Sequence, residues 1–452
     1  MRESHRRTPL TDGPIIPTLV KMSAQMLVGI LGMIAFGLVD TWFVGQLGPN
    51  ELAAMGYVLP VAMVVMGLSF GLGTGAATVV ARAMGQGDRY RVQRLTTDSL
   101  TLALVIVAAL IITGLLTMEP VFRLLGAGPE VRPLVIEYMQ IWYPGMIFVV
   151  VPMVGNNAIR ALGDTKTPAI IMTTAVLVNL VLDPLLIFGL GPFPRLGIAG
   201  AAIATLFARA TTLAVAIWAL HWKHRMLTFR RPSWREGAAS WKAILYVGLP
   251  NAATNLVLPV GAGIITRLVS GYGDEAVAAY GVAARIDMFA LTPIMALGAV
   301  LGPFVGQNWG AGQPTRLREG VSLSLRFANL WGAGAMITLS LLARPLAGLF
   351  NDDPAVVEPL ALYLQLVPLS YGLRGMVNMA KTAMNALNRP LPGSAVTLMQ
   401  MFLFLVPLSW AGSTWFGLAG LFAAPAVASI LGAAVGLVWM RRVVDQETLA
   451  EA

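Results

Sequence analysis

A chain of 452 residues that is 57% hydrophobic and only 12% charged carries about half the charge of a soluble domain. With a mean hydropathy of +0.73, a soluble multi-domain enzyme is excluded and a polytopic membrane protein remains. No cysteine is present, which removes disulfides, thiolate metal sites and cysteine nucleophiles.

A bilayer core needs about 20 apolar residues per helix. Twelve apolar runs meet that need, at roughly 14–43, 52–82, 97–118, 132–158, 168–190, 197–221, 242–269, 276–304, 320–343, 357–385, 393–414 and 417–440. The first run follows a basic tail but lacks a short apolar core with a small-residue cleavage site, so it reads as an uncleaved span. Basic residues gather before span 1 (Arg2, Arg6, Arg7, Lys21) and in the second loop (Arg82, Arg89, Arg91, Arg94). The sixth loop adds Lys223, Arg225, Arg230, Arg231, Arg235 and Lys242, and Arg316, Arg318, Arg326, Arg441 and Arg442 follow. Odd-numbered loops hold few, so both termini are expected in the cytoplasm. The net charge of +9 is therefore topology, and no nucleic-acid partner is expected. His5, His221 and His224 sit in polar flanks, leaving no histidine-based metal or catalytic cluster inside the membrane.

The basic stretch near 221–242 divides the chain, and the two halves repeat. Gly48-Pro-Asn-Glu-Leu-Ala-Ala-Met-Gly56 aligns with Gly273-Asp-Glu-Ala-Val-Ala-Ala-Tyr-Gly281 at an offset of 225. The same offset pairs Gly85-Gln-Gly87 with Gly310-Ala-Gly312, Arg91 with Arg316, and Ala161-Leu162 with Ala386-Leu387. A slightly shorter one pairs Gly197–Gly200 with Gly417–Gly420. Six spans per copy make the repeats parallel. The expected fold is all-α: twelve transmembrane helices in two parallel six-helix bundles around a central cavity. The expected division is an N-terminal lobe over 1–221, a basic cytoplasmic linker over 222–241 and a C-terminal lobe over 242–452.

Carboxylates at bilayer depth are functional candidates because each costs roughly 2.5–3.5 kcal/mol or more. Asp40 precedes Gly48, Asp183 precedes Pro192, and Thr205 follows Gly197, each by eight or nine residues. At about 1.5 Å per residue all three lie roughly 12–14 Å below the outer surface. Asn179 is one turn before Asp183 on the same helix face, and Pro184 frees the carbonyl of Leu180 beside them. Two adjacent carboxylates cannot both ionise cheaply, so the pair is suited to carrying a proton. The oxygen-only set of Asp40, Asn179, Asp183 and Thr205 equally suits a hard cation such as Na⁺; H⁺ is the favoured reading. The 225-offset positions, Ile265 and Leu408, carry no charge, consistent with one coupling site.

Five stretches in order resemble the multidrug and toxic compound extrusion (MATE) family: Val39-Asp-Thr-Trp-Phe-Val-Gly45 with Leu47-Gly48, Ala161-Leu-Gly-Asp-Thr-Lys-Thr-Pro168, Asn179-Leu-Val-Leu-Asp-Pro184, Gly197–Thr205, and Gly306-Gln-Asn-Trp-Gly-Ala-Gly312. The resemblance implies a cation-coupled efflux antiporter for amphipathic, often cationic, small molecules in the cell membrane. It further implies a non-enzyme with no catalytic residues and no cofactor beyond the coupling ion, expected as a monomer. It points to the prokaryotic branch whose coupling site lies in the N-terminal lobe, and places Tyr138 and Asn156 near that site. Span 7 has no carboxylate and span 10 holds Arg374 and Lys381, so a C-lobe cation site is not expected. The proline by which related first spans bend is replaced by Gln25, so a proline-kink mechanism is not expected. Asp287, near mid-membrane in span 8, has two readings: attraction of substrate, or structural pairing, for instance with Arg374. A lipid-linked oligosaccharide flippase of the same superfamily is the alternative function. Twelve spans and the Asp40/Asp183 pair weigh against it.

Overall fold

The structure is a computed structural model that describes residues 10–231 and 233–449; Arg2, His5, Arg6 and Arg7 lie outside them. The described residues are helical and connecting segments, with no strand. In the first half, α1 (Ile15–Gly45), α2 (Pro49–Gly85) and α3 (Arg89–Leu124) are followed by α4 (Arg132–Gly145) and α5 (Ile147–Ala161). The last two form one span bent by 41°, directly after Pro144 and Gly145, the residue types that break helices. Next come α6 (Lys166–Phe188) and α7 (Gly197–Trp218), the latter extended by a π-turn over Ala219–Lys223.

The second half repeats this order. It holds α8 (Trp234–Val269), α9 (Asp274–Gly310), α10 (Pro314–Leu341) and the short α11 (Ala343–Gly348). Then α12 (Pro354–Leu366) and α13 (Tyr371–Ala386) flank a 3₁₀ turn at Val367–Ser370, and α14 (Pro390–Leu398) leads through a π segment into α15 (Val406–Leu449). Among the described residues nine helices, or ten with the bent pair, are long and apolar enough to span a membrane. The last of these covers 58 residues, far longer than any bilayer at about 1.5 Å per residue. It reverses at Gly417, whose φ of 62° and ψ of −146° are not helical, and so contains two spans. With α10, whose N-terminal part carries Arg316, Arg318, Glu319 and Arg326, the count reaches the expected twelve.

The repeat offset is built into the backbone. Helices α2 and α9 share both ends at 225 residues' separation, α3 and α10 share their starts, and α5 and α13 share their ends. Gly163 follows α5 with φ 91°, and at the same offset Asn388 follows α13 with φ 59°. Asparagine is the non-glycine residue best suited to a left-handed helix terminus.

Several basic residues assigned to loops from sequence are helical instead. Arg89, Arg91 and Arg94 open α3, Arg316 and Arg318 open α10, and α8 begins at Trp234. These helices are longer than a bilayer is thick, so their charged ends continue beyond it. Arg94 is buried against Asp98 one turn on: its Nε donates to Oδ2 at 2.9 Å and its Nη2 to Oδ1. The basic linker is bound along α3. Arg89 donates to the carbonyl of His224, Gln93 to that of Arg225 and Arg94 to that of Arg230, at 2.8–2.9 Å.

The chain forms two compact units, Ala24–Ala252 and Met1–Ser23 with Ala253–Ala452. Their boundaries fall within α1 and α8 rather than in the basic segment. The reason is packing: a Cβ on Gly71 or Gly75 of α2 would lie 2.6 or 2.3 Å from the carbonyl oxygens of Gly248 or Ile244 on α8. Trp241 Nε1 also donates to the carbonyl of Asp98. Conversely, the carbonyl of Leu10 accepts from Asn308 and Arg316.

The Gly163–Thr167 turn owes its shape to Asp164. Its carboxylate accepts from the Thr167 backbone N–H at 3.0 Å and from Lys223 Nζ at 2.9 Å, and His224 Nε2 lies 3.1 Å away. Burial raises the Asp164 pKa, but hydrogen bonds from His224, Thr167 and Lys223 outweigh it and hold the group below the usual carboxylate range. A depressed folded-state pKa adds stability above the unfolded value of about 3.9 and loses it as pH falls further. Asp164→Asn is therefore expected to lower stability by roughly 1–3 kcal/mol at pH 7. In thermal-shift measurements the gap to wild type should narrow as pH is lowered below that value. The hairpin at Gly417 gives a second test. A Cβ on Gly420 would sit 2.1 Å from the Gly412 carbonyl oxygen, so Gly420→Val should lower Tm and monodisperse yield, at a cost of about 1–3 kcal/mol or more.

Candidate functional site

Asp40 and Asp183 each lie five residues before the ends of α1 and α6, and Thr205 lies eight residues into α7. Three helix ends thus present polar groups at similar depth. All are buried, Asn179 and Asp183 completely. Asn179 Nδ2 donates to Asp183 Oδ1 at 2.8 Å, the i,i+4 contact expected from one helix face. Asp40 lies within electrostatic reach of Asp183, and both lie within reach of Tyr138. Tyr138, on α4, is itself buried at 3% exposure.

Three buried acceptor oxygens at this site have no hydrogen-bond partner among the described residues: Asp40 Oδ1, Asn179 Oδ1 and Asp183 Oδ2. The Thr205 hydroxyl, which can donate, lies within hydrogen-bonding reach of Asp40 and Tyr138. Unpartnered buried polar atoms are costly and rare in native proteins, so a cluster of acceptors is fitted to a proton or a hard cation. Among the described residues no group of three or more His, Cys, Asp or Glu could hold a metal, so any cation here would rest on two carboxylates and neutral oxygens.

Arg209 belongs to this site and was missed in the sequence. It lies one turn after Thr205 on α7, within electrostatic reach of Asp40. Its guanidinium stacks 4.3 Å from the ring centroid of Phe36, which is one turn before Asp40 on α1. The available signal was spacing: an arginine at i+4 from a predicted site residue, alone among charges in an otherwise apolar span.

Asn156 is placed differently from the expectation. It lies on α5, beyond the bend, eighteen residues after Tyr138 and thus about 27 Å further along the span. Its neighbour Asn157 packs against Gly73 and bonds the Met153 carbonyl. The structure does not bring Asn156 to the carboxylate pair, because eighteen residues of helix separate it from Tyr138. Gln25, standing where related first spans carry proline, accepts from Thr165 Oγ1 at 2.6 Å, and α1 runs unbroken from Ile15 to Gly45.

In the other unit, Asp287 of α9 accepts from Tyr363 at 2.8 Å and from Tyr371, and Arg374 Nη1 is 3.5 Å from its Oδ2. Of the two readings of Asp287, pairing is the one with contacts behind it. Its negative charge is already engaged.

Comparison with known proteins identifies the family. The MatE family model matches residues 26–185 and again 250–411, one match per repeat. The chain is 39% identical to a Shewanella oneidensis protein named FAD transporter, over 94% of each chain. It is 26% identical to the probable multidrug resistance protein NorM of Thermotoga maritima, over 93% of this chain and 88% of that one. Among solved structures, the Vibrio cholerae MATE transporter VcmN in its bent form superposes with a TM-score of 0.91 at 28% identity, covering 96% of this chain and 98% of the other. With its twelve spans, its parallel repeat and its buried N-terminal carboxylates, the chain belongs to the MATE family of multi-pass membrane transporters and is not an enzyme.

Proposed function

We propose that this protein is a secondary antiporter of the cell membrane, both termini cytoplasmic, that exports amphipathic small molecules in exchange for a cation by alternating access. The coupling unit is Asp40 with Asp183, supported by Asn179, Thr205 and Tyr138 in the N-terminal lobe. The three unpartnered acceptor oxygens carry this reading: a proton or cation would supply the partner they lack. H⁺ is the favoured ion, because one proton between two carboxylates removes their repulsion as well as supplying a missing donor. Na⁺ would use the same oxygens. The protein is expected to act as a monomer.

The substrate has two readings. Relatives named for multidrug resistance or export favour drugs, including organic cations. The higher identity to a protein named FAD transporter favours an aromatic, phosphate-bearing molecule.

Transport in proteoliposomes, with pH and Na⁺ gradients imposed separately, tests the coupling. Asp40→Asn and Asp183→Asn should each lower gradient-driven efflux by about tenfold or more with folding intact, and the double variant should be no worse than either single, as for a coupled pair. Full efflux in a single variant, or additive losses, would overturn the shared site. Arg209 offers a stability readout. Arg209→Met leaves Asp40 without its nearby positive charge and should cost up to about 3–5 kcal/mol. Much of that loss should be recovered when Asp40→Asn is added, as measured by the two Tm shifts.

A further inference from the structure

The unit formed by the second half lines a half-open cavity of about 540 Å³, within the range of small-molecule sites. Its place in the repeat is informative. At the 225-residue offset Asp40 corresponds to Ile265 and Tyr138 to Tyr363. At the shorter offset that aligns Gly197 with Gly417, Thr205 corresponds to Pro425. All three counterparts line this cavity. The cavity thus overlaps the repeat-related place of Asp40, Tyr138 and Thr205, while Leu408, the counterpart of Asp183, does not line it.

Its charge is reversed as well. The charged residues lining it are Asp287, Arg374 and Lys381, and the Asp287–Arg374 pair described above leaves one positive charge over. Lys381 makes no hydrogen bond or ion pair among the described residues. It stands on α13 two turns after Arg374, with Asn378 between them at i+4. The spacing i, i+4, i+7 puts the three on one helix face, and all three line the cavity. Aromatic rings form another part of the wall: Tyr280 and Tyr363 meet edge-on at 5.8 Å, and Tyr363 meets Phe422 at 5.0 Å. Lys381 is half-buried in the cavity wall with no counter-ion of its own among the described residues, which leaves its charge available to an anionic ligand.

We propose that this cavity binds the anionic, phosphate-bearing end of an aromatic substrate, with Lys381 as its charge partner and the Tyr280–Tyr363–Phe422 wall against its ring system. The aromatic wall and the lone cation together match a nucleotide-like molecule and disfavour an organic cation. The proposal rests on the transport reading above but not on its coupling site.

The test measures equilibrium binding to the full-length protein in nanodiscs. The probes are FAD, riboflavin (same ring, no phosphate), ethidium (an aromatic cation) and farnesyl diphosphate (a lipid diphosphate). FAD is expected to bind about tenfold or more tightly than riboflavin, and Lys381→Gln should remove that advantage while leaving riboflavin binding unchanged. Lys381→Arg should retain FAD, which separates loss of charge from loss of fold. Asp40→Asn should leave FAD binding within about twofold while abolishing coupled efflux, so failure of the cavity and failure of the coupling reading are distinguishable. Displacement of FAD by farnesyl diphosphate, which has no aromatic ring, would overturn the aromatic part of the proposal, and no displacement would support a nucleotide-like ligand. Wild-type FAD affinity in Lys381→Gln, or ethidium binding more tightly than FAD, would overturn the proposal.

Discussion

A carboxylate held in hydrocarbon must be neutralised, paired or able to take up an ion. Asp40 and Asp183 sit at the ends of different helices and are buried, yet each retains an oxygen with no hydrogen bond among the described residues. Nearby structure meets this constraint in part. Asn179 supplies one donor to Asp183 from the preceding turn, and Arg209 brings a positive charge toward Asp40 without a recorded hydrogen bond to it. In the proposed coupling role these remaining acceptors are where an ion would be taken up and released.

Much of this was legible in the residues. Depth arithmetic found Asp40, Asn179, Asp183 and Thr205 because helix rise is constant, and distance from a Gly- or Pro-rich loop therefore reports depth. The repeat was legible because turns that need left-handed backbone reuse Gly at a fixed offset. Asn156 was placed by the resemblance alone, and helix rise over the eighteen residues from Tyr138 argues against it. Arg209 was passed over because a single positive charge in an apolar span looks like the other basic residues until its partner helix is known. The buried Arg94–Asp98 pair was hidden for a related reason: in sequence a buried arginine and a cytoplasmic one are the same letter.

The two repeats kept their backbone and exchanged their chemistry. Both ends of α2 and α9, the starts of α3 and α10 and the ends of α5 and α13 coincide at the 225 offset, down to Asn388 where the first copy has Gly163. At the sites, Asp40 gives way to Ile265 while Tyr138 is retained as Tyr363. In the first copy the tyrosine is near two carboxylates; in the second it bonds Asp287 beside Arg374. One scaffold thus holds an acidic and a basic version of the same place, and the charge reversal required no change in topology.

The boundaries inside α1 and α8 carry a topological consequence. The beginning of α8, the first helix of the second copy, is packed within the unit built mostly from the first copy, against Gly71 and Gly75. The opening residues of the chain are packed within the other unit, through Asn308 and Arg316. Each copy therefore completes its partner with its own leading segment, the reciprocal exchange that defines a swapped dimer.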